Sequence, residues 1–512
     1  MMQRQLFCAF SAAFFGASVA AIPTASSAQT PSAQTPSAPT PSASAEPSGA
    51  AVADAPVRLG QLPNGLHYAI VPRRSNDTGV GLFIRVNGGF FGEQRPGERG
   101  VAHLIEHLIF RSPVEAAPDD RFRFRNIGMP LTYPEPAGGT TSWRESDYYL
   151  VARSNNPADI DALLNLFRGS FSDLHFRADI VDEQRTEVMQ EMADKKRGNA
   201  IYADYIKAVA PGSPSDIIDA QNSDDVPSAS LETIRALYHR FYRPENVAIT
   251  IVGDVDPAQI EALVAKRFGD WRGTGAAPKP ITIPHFLGPN IAPISYAAAQ
   301  DGRQSAMITS ALPLPNRAAT RAQRIEARLM DMVVMRVMNN RLAQTQTGGA
   351  PGKYGIFIEN GEQGHRLIMV WDNFEQGQWQ PALAGLKKAT CDASVTGFSG
   401  QEWRDAKAFV LQDLEARAAG MNNFDIARQS ADMLTTDGTV VSPVAFLADA
   451  RQLLPDIDEA KGHLWWQQQW DSGTQHIRVE TPDLQQTKQP LTAIRAVAAK
   501  ATSNRQCKVR KR

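Results

Sequence analysis

The stretch Gly100-Val-Ala-His-Leu-Ile-Glu-His-Leu-Ile-Phe110 constrains this 512-residue chain more than any other. Ala102, Leu104, Ile105, Leu108, Ile109 and Phe110 crowd round three polar residues, His103, Glu106 and His107. A helix so apolar is mostly buried. Burying two histidines and a glutamate without partners is costly. The fold must therefore bring compensating groups to this helix.

A metal ion meets that need. His103 and His107 are four apart and share one face of a helix. Two imidazoles so placed can hold one Zn²⁺, with Glu106 close enough to act on a water at the metal. The order H-x-x-E-H inverts the H-E-x-x-H zinc-peptidase motif. The competing account is a core helix with a wet polar face.

A two-histidine catalytic site needs at least one more protein ligand. Neither the remaining histidines nor the cysteines offer a recognisable spacing. A carboxylate from a distant helix is the natural candidate, and Val181–Met192 supplies several. Glu187 and Glu191 are four apart on one face, while Val188, Met189 and Met192 mark the neighbouring buried side. Glu191 sits at the edge of that core, better placed than exposed Glu183. A solvated acidic face is the alternative for this segment taken alone.

Elsewhere the sequence sets bounds. A net charge of −1 gives no case for nucleic acid or an anionic membrane as the main partner. Residues 1–28 read as a secretory signal peptide: Arg4, an apolar run from Leu6 to Ala21, then Ser26-Ser27-Ala28. Export to the periplasm is the expectation, with no membrane span once the signal is removed. Residues 29–56, rich in Ala, Ser, Pro and Thr, cannot bury a core and read as a disordered tether. An oxidising compartment permits a disulfide between Cys391 and Cys507; two separate thiols are equally compatible with the sequence.

From Val57 onward, strand and helix signals alternate. Leu62-Pro-Asn-Gly65 is a turn, and Leu66–Val71, Val80–Val86 and Ser142–Arg153 are strands. Asn156–Phe171, Asp179–Lys196, Leu231–Phe241 and Pro257–Phe268 are helices, with the strand Asn246–Val252 before the last. The second half repeats the order weakly. The pattern predicts an α+β fold of two similar domains, each a mostly antiparallel sheet covered by helices. The expected boundaries are a zinc-binding domain at 57–272, a linker at 273–288 and a related domain without a metal site at 289–512. Trp465, Trp466 and Trp470, at helical spacing, are expected to pack the second domain.

Taken together, these motifs resemble the pitrilysin/insulinase zinc peptidases, which include the mitochondrial processing peptidase subunits. The resemblance runs through Leu62-Pro-Asn-Gly-Leu66, Glu93, Gly100–Phe110, Ile180–Glu191 and Tyr242–Asp254, and covers the second domain only in outline. It implies His103, His107 and Glu191 as ligands of one zinc per chain. It implies Glu106 as general base towards a zinc-activated water in the hydrolysis of peptides or unfolded segments. It further implies a chain that holds one half of a substrate-enclosing pair, and so a homodimer or a heterodimer with a related chain. An accessory subunit with an impaired site is the alternative.

Three positions depart from the family pattern. Gln184 stands seven residues before Glu191, where the family has a second glutamate; with Glu187 it is expected to support the ligands. Gly138-Gly139-Thr140-Thr141 replaces Asn-Ala-x-Thr on the edge strand that binds substrate backbone, so Thr140, Thr141 and Ser142 are the candidates there. A glycine-rich edge strand is weaker. In the second half Tyr354 matches a substrate-binding tyrosine, but Thr347 occupies the position of its partner arginine, with Arg341 further back.

Overall fold

The computed structural model describes residues 56–111, 128–129, 138–211, 224–278, 285–298, 304–313, 319–345, 353–360 and 365–502, apart from 76, 78, 143, 290 and 437. The expected signal peptide, nearly all of the tether, most of the loop at 114–138, Thr347 and Cys507 lie outside these residues.

The first half runs β1 (Arg58–Gln61), β2 (His67–Pro72), β3 (Val80–Asn87), α1 (Val101–Arg111), β4 (Gly128–Met129), β5 (Gly139–Thr141), β6 (Glu145–Ala152), α2 (Pro157–Ser172), α3 (Ala178–Val209), α4 (Leu231–Phe241), β7 (Val247–Gly253) and α5 (Pro257–Phe268). Its sheet has the order β1-β2-β7-β3-β6-β4, with β5 also paired to β6. Among its described strands only β2 and β7 pair in parallel. The turn before β2 is closed by Leu62 and Leu66, with Gly65 at φ 96°. α3 extends past the expected Lys196 to Val209.

The second half runs β8 (Ile294–Ala297), β9 (Ser305–Pro313), α6 (Arg321–Thr345), β10 (Tyr354–Asn360), β11 (His365–Asn373), α7 (Trp379–Val395), α8 (Gly400–Gly420), α9 (Asn423–Thr436), α10 (Pro443–Leu453), α11 (Glu459–Trp466), β12 (Thr474–Glu480) and α12 (Pro490–Thr502). Its sheet order is β10-β11-β9-β12-β8, again with one parallel pair, β12 with β8. The two sheets share a pattern. A parallel pair lies to one side, and β3 or β9 sits between two antiparallel neighbours. The α+β duplication expected from the sequence is thus present. Trp403, Trp466 and Trp470 are fully buried in the second core, the last two stacked at 5.0 Å.

β3 reads as a continuous apolar run because both of its faces are covered. Leu82, Ile84 and Val86 face the core shared with α1, α2 and α4. Phe83 faces the other way, with Ala69, Val71, Tyr149 and Val252, onto Ile426, Ala427 and Ala431 of α9. A helix from the second half thus seals the back of the first sheet. Its start is fixed by Asn423, whose Nδ2 donates to the Gly79 carbonyl at 2.7 Å and whose backbone N–H donates to Asp77 at 2.9 Å. Buried Arg85 adds a bidentate pair with Asp147 and a 2.8 Å contact to Asp432 on α9. Arg144 pairs with Glu359 across the two halves. Cys391, in α7, is disulfide-bonded; its partner lies outside the described residues.

Candidate metal centre

The N-terminus of α1 is set before its side chains matter. The first N–H groups of a helix lack internal partners. Glu93 supplies them, accepting from the backbone of Gly100 and Ala102 at 2.8 Å each. Glu98 holds the preceding loop to Arg240 on α4. Val101, Leu104, Ile105, Leu108 and Ile109 are buried, as the apolar pattern requires, and they carry His103 and Glu106 inside with them.

α1 packs against α3, and three ligand-type side chains converge between them. His103 Nε2 lies 3.4 Å from Glu191 Oε2, and His107 Nε2 lies 3.3 Å from the same oxygen. Among the described residues, His103, His107 and Glu191 form the one group of three or more suited to a metal ion, their ligand atoms all within 4.8 Å. Zinc binds nitrogen and oxygen at about 2.0–2.2 Å, and tetrahedral ligands at that radius stand about 3.3–3.5 Å apart. The two separations to Glu191 have that value. The donor set fits zinc.

The surrounding charge favours a cation as well. Glu106 Oε2 lies 3.6 Å from His103 Nε2, and Glu187 lies 3.8 Å from His107 Nδ1. Burial pulls the His107 pKa down, but the bond to Glu191, the charges of Glu106 and Glu191 and the contact with Gln184 outweigh it and raise the value. Gln184 is fully buried, and its Oε1 lies 3.0 Å from His107 Nδ1. Gln184, Glu187 and Glu191 thus share one face of α3, three and four residues apart.

The other expected residues divide. Thr141 reaches the centre: its Oγ1 donates to Glu106 Oε2 at 3.2 Å. Thr140 pairs with Asp147 in the β5–β6 ladder. Ser142 serves the turn instead, donating to Glu145 at 2.6 Å and accepting from the backbone of Arg144 and Glu145. Tyr354 opens β10, packs against the second core and adjoins Arg336. Arg341 is engaged elsewhere, by Glu402 at 2.7 and 2.9 Å and by the Gly397 carbonyl. The sequence reasoning missed Ser146, Tyr148 and Tyr242, which line up behind Thr141. The register Thr141↔Ser146 was the available signal, since a turn at Ser142–Glu145 places them opposite each other.

Residues 228–409 match the family described as "Peptidase M16 inactive domain". The probable zinc protease PqqL of Haemophilus influenzae is 22% identical over 213 residues, 41% of this chain and 23% of that protein. The zinc protease PqqE of Helicobacter pylori is 23% identical over 252 residues, 48% of this chain and 52% of that protein. The chain therefore aligns with about a quarter to a half of these relatives. The crystal structure of the first half of the periplasmic protease PqqL from Escherichia coli superposes with a TM-score of 0.70 at 19% identity, covering 89% of this chain and 99% of that one. These likenesses support the resemblance to the pitrilysin/insulinase family that the motifs carry. The matched segment 228–409 excludes His103, Glu106, His107 and Glu191, so the word "inactive" in its description does not bear on them.

Proposed function

We propose that this protein is an exported zinc endopeptidase acting on peptides or unfolded protein segments. The observation that carries this reading is the convergence of His103, His107 and Glu191, with the Glu106 carboxylate 3.6 Å from a ligand nitrogen. His103, His107 and Glu191 would hold the metal, which when bound supplies Lewis-acid polarisation of a peptide carbonyl and of water. Glu106 takes a proton from the attacking water and returns it to the leaving amine. The open edge of β5, through the backbone of Thr140 and its neighbours, would receive the substrate as an added strand. Tyr354 is proposed for substrate contact only once a partner half closes over the site.

Relatives are named zinc proteases, and the similar Escherichia coli protein is named periplasmic. No described helix is long and apolar enough to cross a membrane. The chain covers 51% of full-length Escherichia coli PqqL, and pairing with a copy of itself or a related chain is part of the proposal. The division into 57–272, 273–288 and 289–512 is retained as the working domain scheme.

An accessory role is the second reading, raised by the departures from the family pattern at Gly138, Gly139 and Thr347. Metal analysis of the purified chain with a peptide-cleavage assay, alone and with candidate partners, tests both. Stoichiometric zinc with cleavage supports the peptidase; a chain that neither holds zinc nor is activated by it would end that reading.

A further inference from the structure

Glu106 is gripped by the edge strand from two directions. Thr141 Oγ1 donates to Oε2 at 3.2 Å. Gly139 lies against the rest of the side chain: a Cβ added there would stand 2.8 Å from Oε1 and 2.9 Å from Cγ. The glycine that weakens β5 as a strand is the space that the glutamate occupies.

Behind Thr141 a line of hydroxyls runs into the core. Thr141 Oγ1 lies 3.1 Å from Ser146 Oγ. Ser146 is hydrogen-bonded to the Tyr242 hydroxyl, which in turn meets that of Tyr148. Each hydroxyl has one proton to give. Thr141 spends its proton on Glu106, so Ser146 is the donor to Thr141. Such chains strengthen cooperatively in a low-dielectric interior. Burial raises the pKa of both tyrosines, so they remain donors. Ser146, Tyr148 and Tyr242 are themselves buried.

We infer that Gly139 and Thr141, backed by Ser146, Tyr242 and Tyr148, are positioning residues that fix the Glu106 carboxylate beside the histidine pair. The inference rests on the peptidase reading for its consequence, but not for its geometry. It moves the Thr141 side chain from substrate contact to the base, and leaves the β5 backbone free for substrate. The chain holds one orientation of Glu106 and takes no part in moving the substrate's proton.

Thr141→Val, Thr141→Ser and Tyr242→Phe separate the possibilities. All keep zinc content near that of the wild type. Thr141→Val lowers kcat about ten- to hundredfold, with KM changed less than about threefold, as expected for a misplaced catalytic group. Thr141→Ser restores most of kcat, and Tyr242→Phe gives a smaller loss. A second readout needs no turnover: NMR of protein carrying ¹³Cζ-tyrosine. The Tyr242 signal moves in Thr141→Val and in Glu106→Gln, and moves little in Thr141→Ser. If the wild type cleaves nothing yet the tyrosine signal responds in this way, the peptidase reading fails and the positioning chain stands. An unmoved tyrosine signal, or a Thr141→Val variant that raises KM at unchanged kcat, overturns the inference.

Discussion

Gln184 Oε1 lies 3.0 Å from Nδ1 of His107, while Nε2 of the same ring faces Glu191 at 3.3 Å. An amide oxygen only accepts, so Nδ1 carries the proton and Nε2 keeps its lone pair for a metal. Outer partners of this kind orient ligating histidines and typically change metal affinity 10–100-fold when lost. Gln184→Leu is therefore expected to weaken zinc binding about 10–100-fold. Chelator competition measures it. Equal affinity in the two proteins would show that the amide does not set the ring.

Glu106 approaches the histidines but is not among the three converging ligand groups. Glu106→Gln should leave zinc stoichiometry intact and lower kcat/KM by about 10²–10⁴, the range for loss of a general base. His103→Ala should lose zinc and cleavage together. Elemental analysis beside a fluorogenic-peptide assay separates the two variants, and a Glu106→Gln protein with undiminished turnover would remove Glu106 from the chemistry.

Local sequence made α1 legible, because the cost of burying His103, Glu106 and His107 shows in eleven residues. Glu191 needed more, since α3 presents several acids and only packing against α1 selects one. α9 presents an apolar face, with Phe424, Ile426, Ala427, Ala431, Met433 and Leu434 against the first sheet, but nothing local says which surface that face covers. What it covers is decided by shape across more than 300 residues of chain. The glycines at 138 and 139 looked like a loss because sequence shows an absent side chain but not the group that fills its place. Gly138 lies beneath Phe110 and Gly139 beneath Glu106.

Gly81 makes the same point on the back of the first sheet. A Cβ there would meet the Asn423 carbonyl oxygen at 2.6 Å and its carbon at 2.9 Å, and backbone cannot swing aside as a side chain can. Gly81→Ala is expected to push the start of α9 off β3 and to cost about 1–3 kcal/mol, the usual price of overpacking. Urea unfolding followed by tryptophan fluorescence gives the change. An unaltered midpoint would mean that α9 docks through its apolar face alone.

Glu402 carries the last prediction, which concerns pH. Its carboxylate accepts from Arg341 at 2.7 and 2.9 Å and from the Ser399 backbone at 2.9 Å, while the Ser399 hydroxyl accepts from the Glu402 backbone at 3.3 Å. This capping box starts α8 and ties it to α6. The Arg341 hydrogen bonds, ahead of the other contributions, lower the Glu402 pKa from 4.5 to about 2. A carboxylate with a depressed folded-state pKa stabilises fully above its unfolded value and loses that contribution as pH falls towards the folded one. Glu402→Gln should therefore cost about 1–2 kcal/mol at neutral pH, a figure reduced for the partial exposure of the pair. The gap between the two proteins should narrow steadily below about pH 4.5. Urea midpoints for both proteins across that range test the linkage, and a difference that stays constant down to about pH 3 would contradict it.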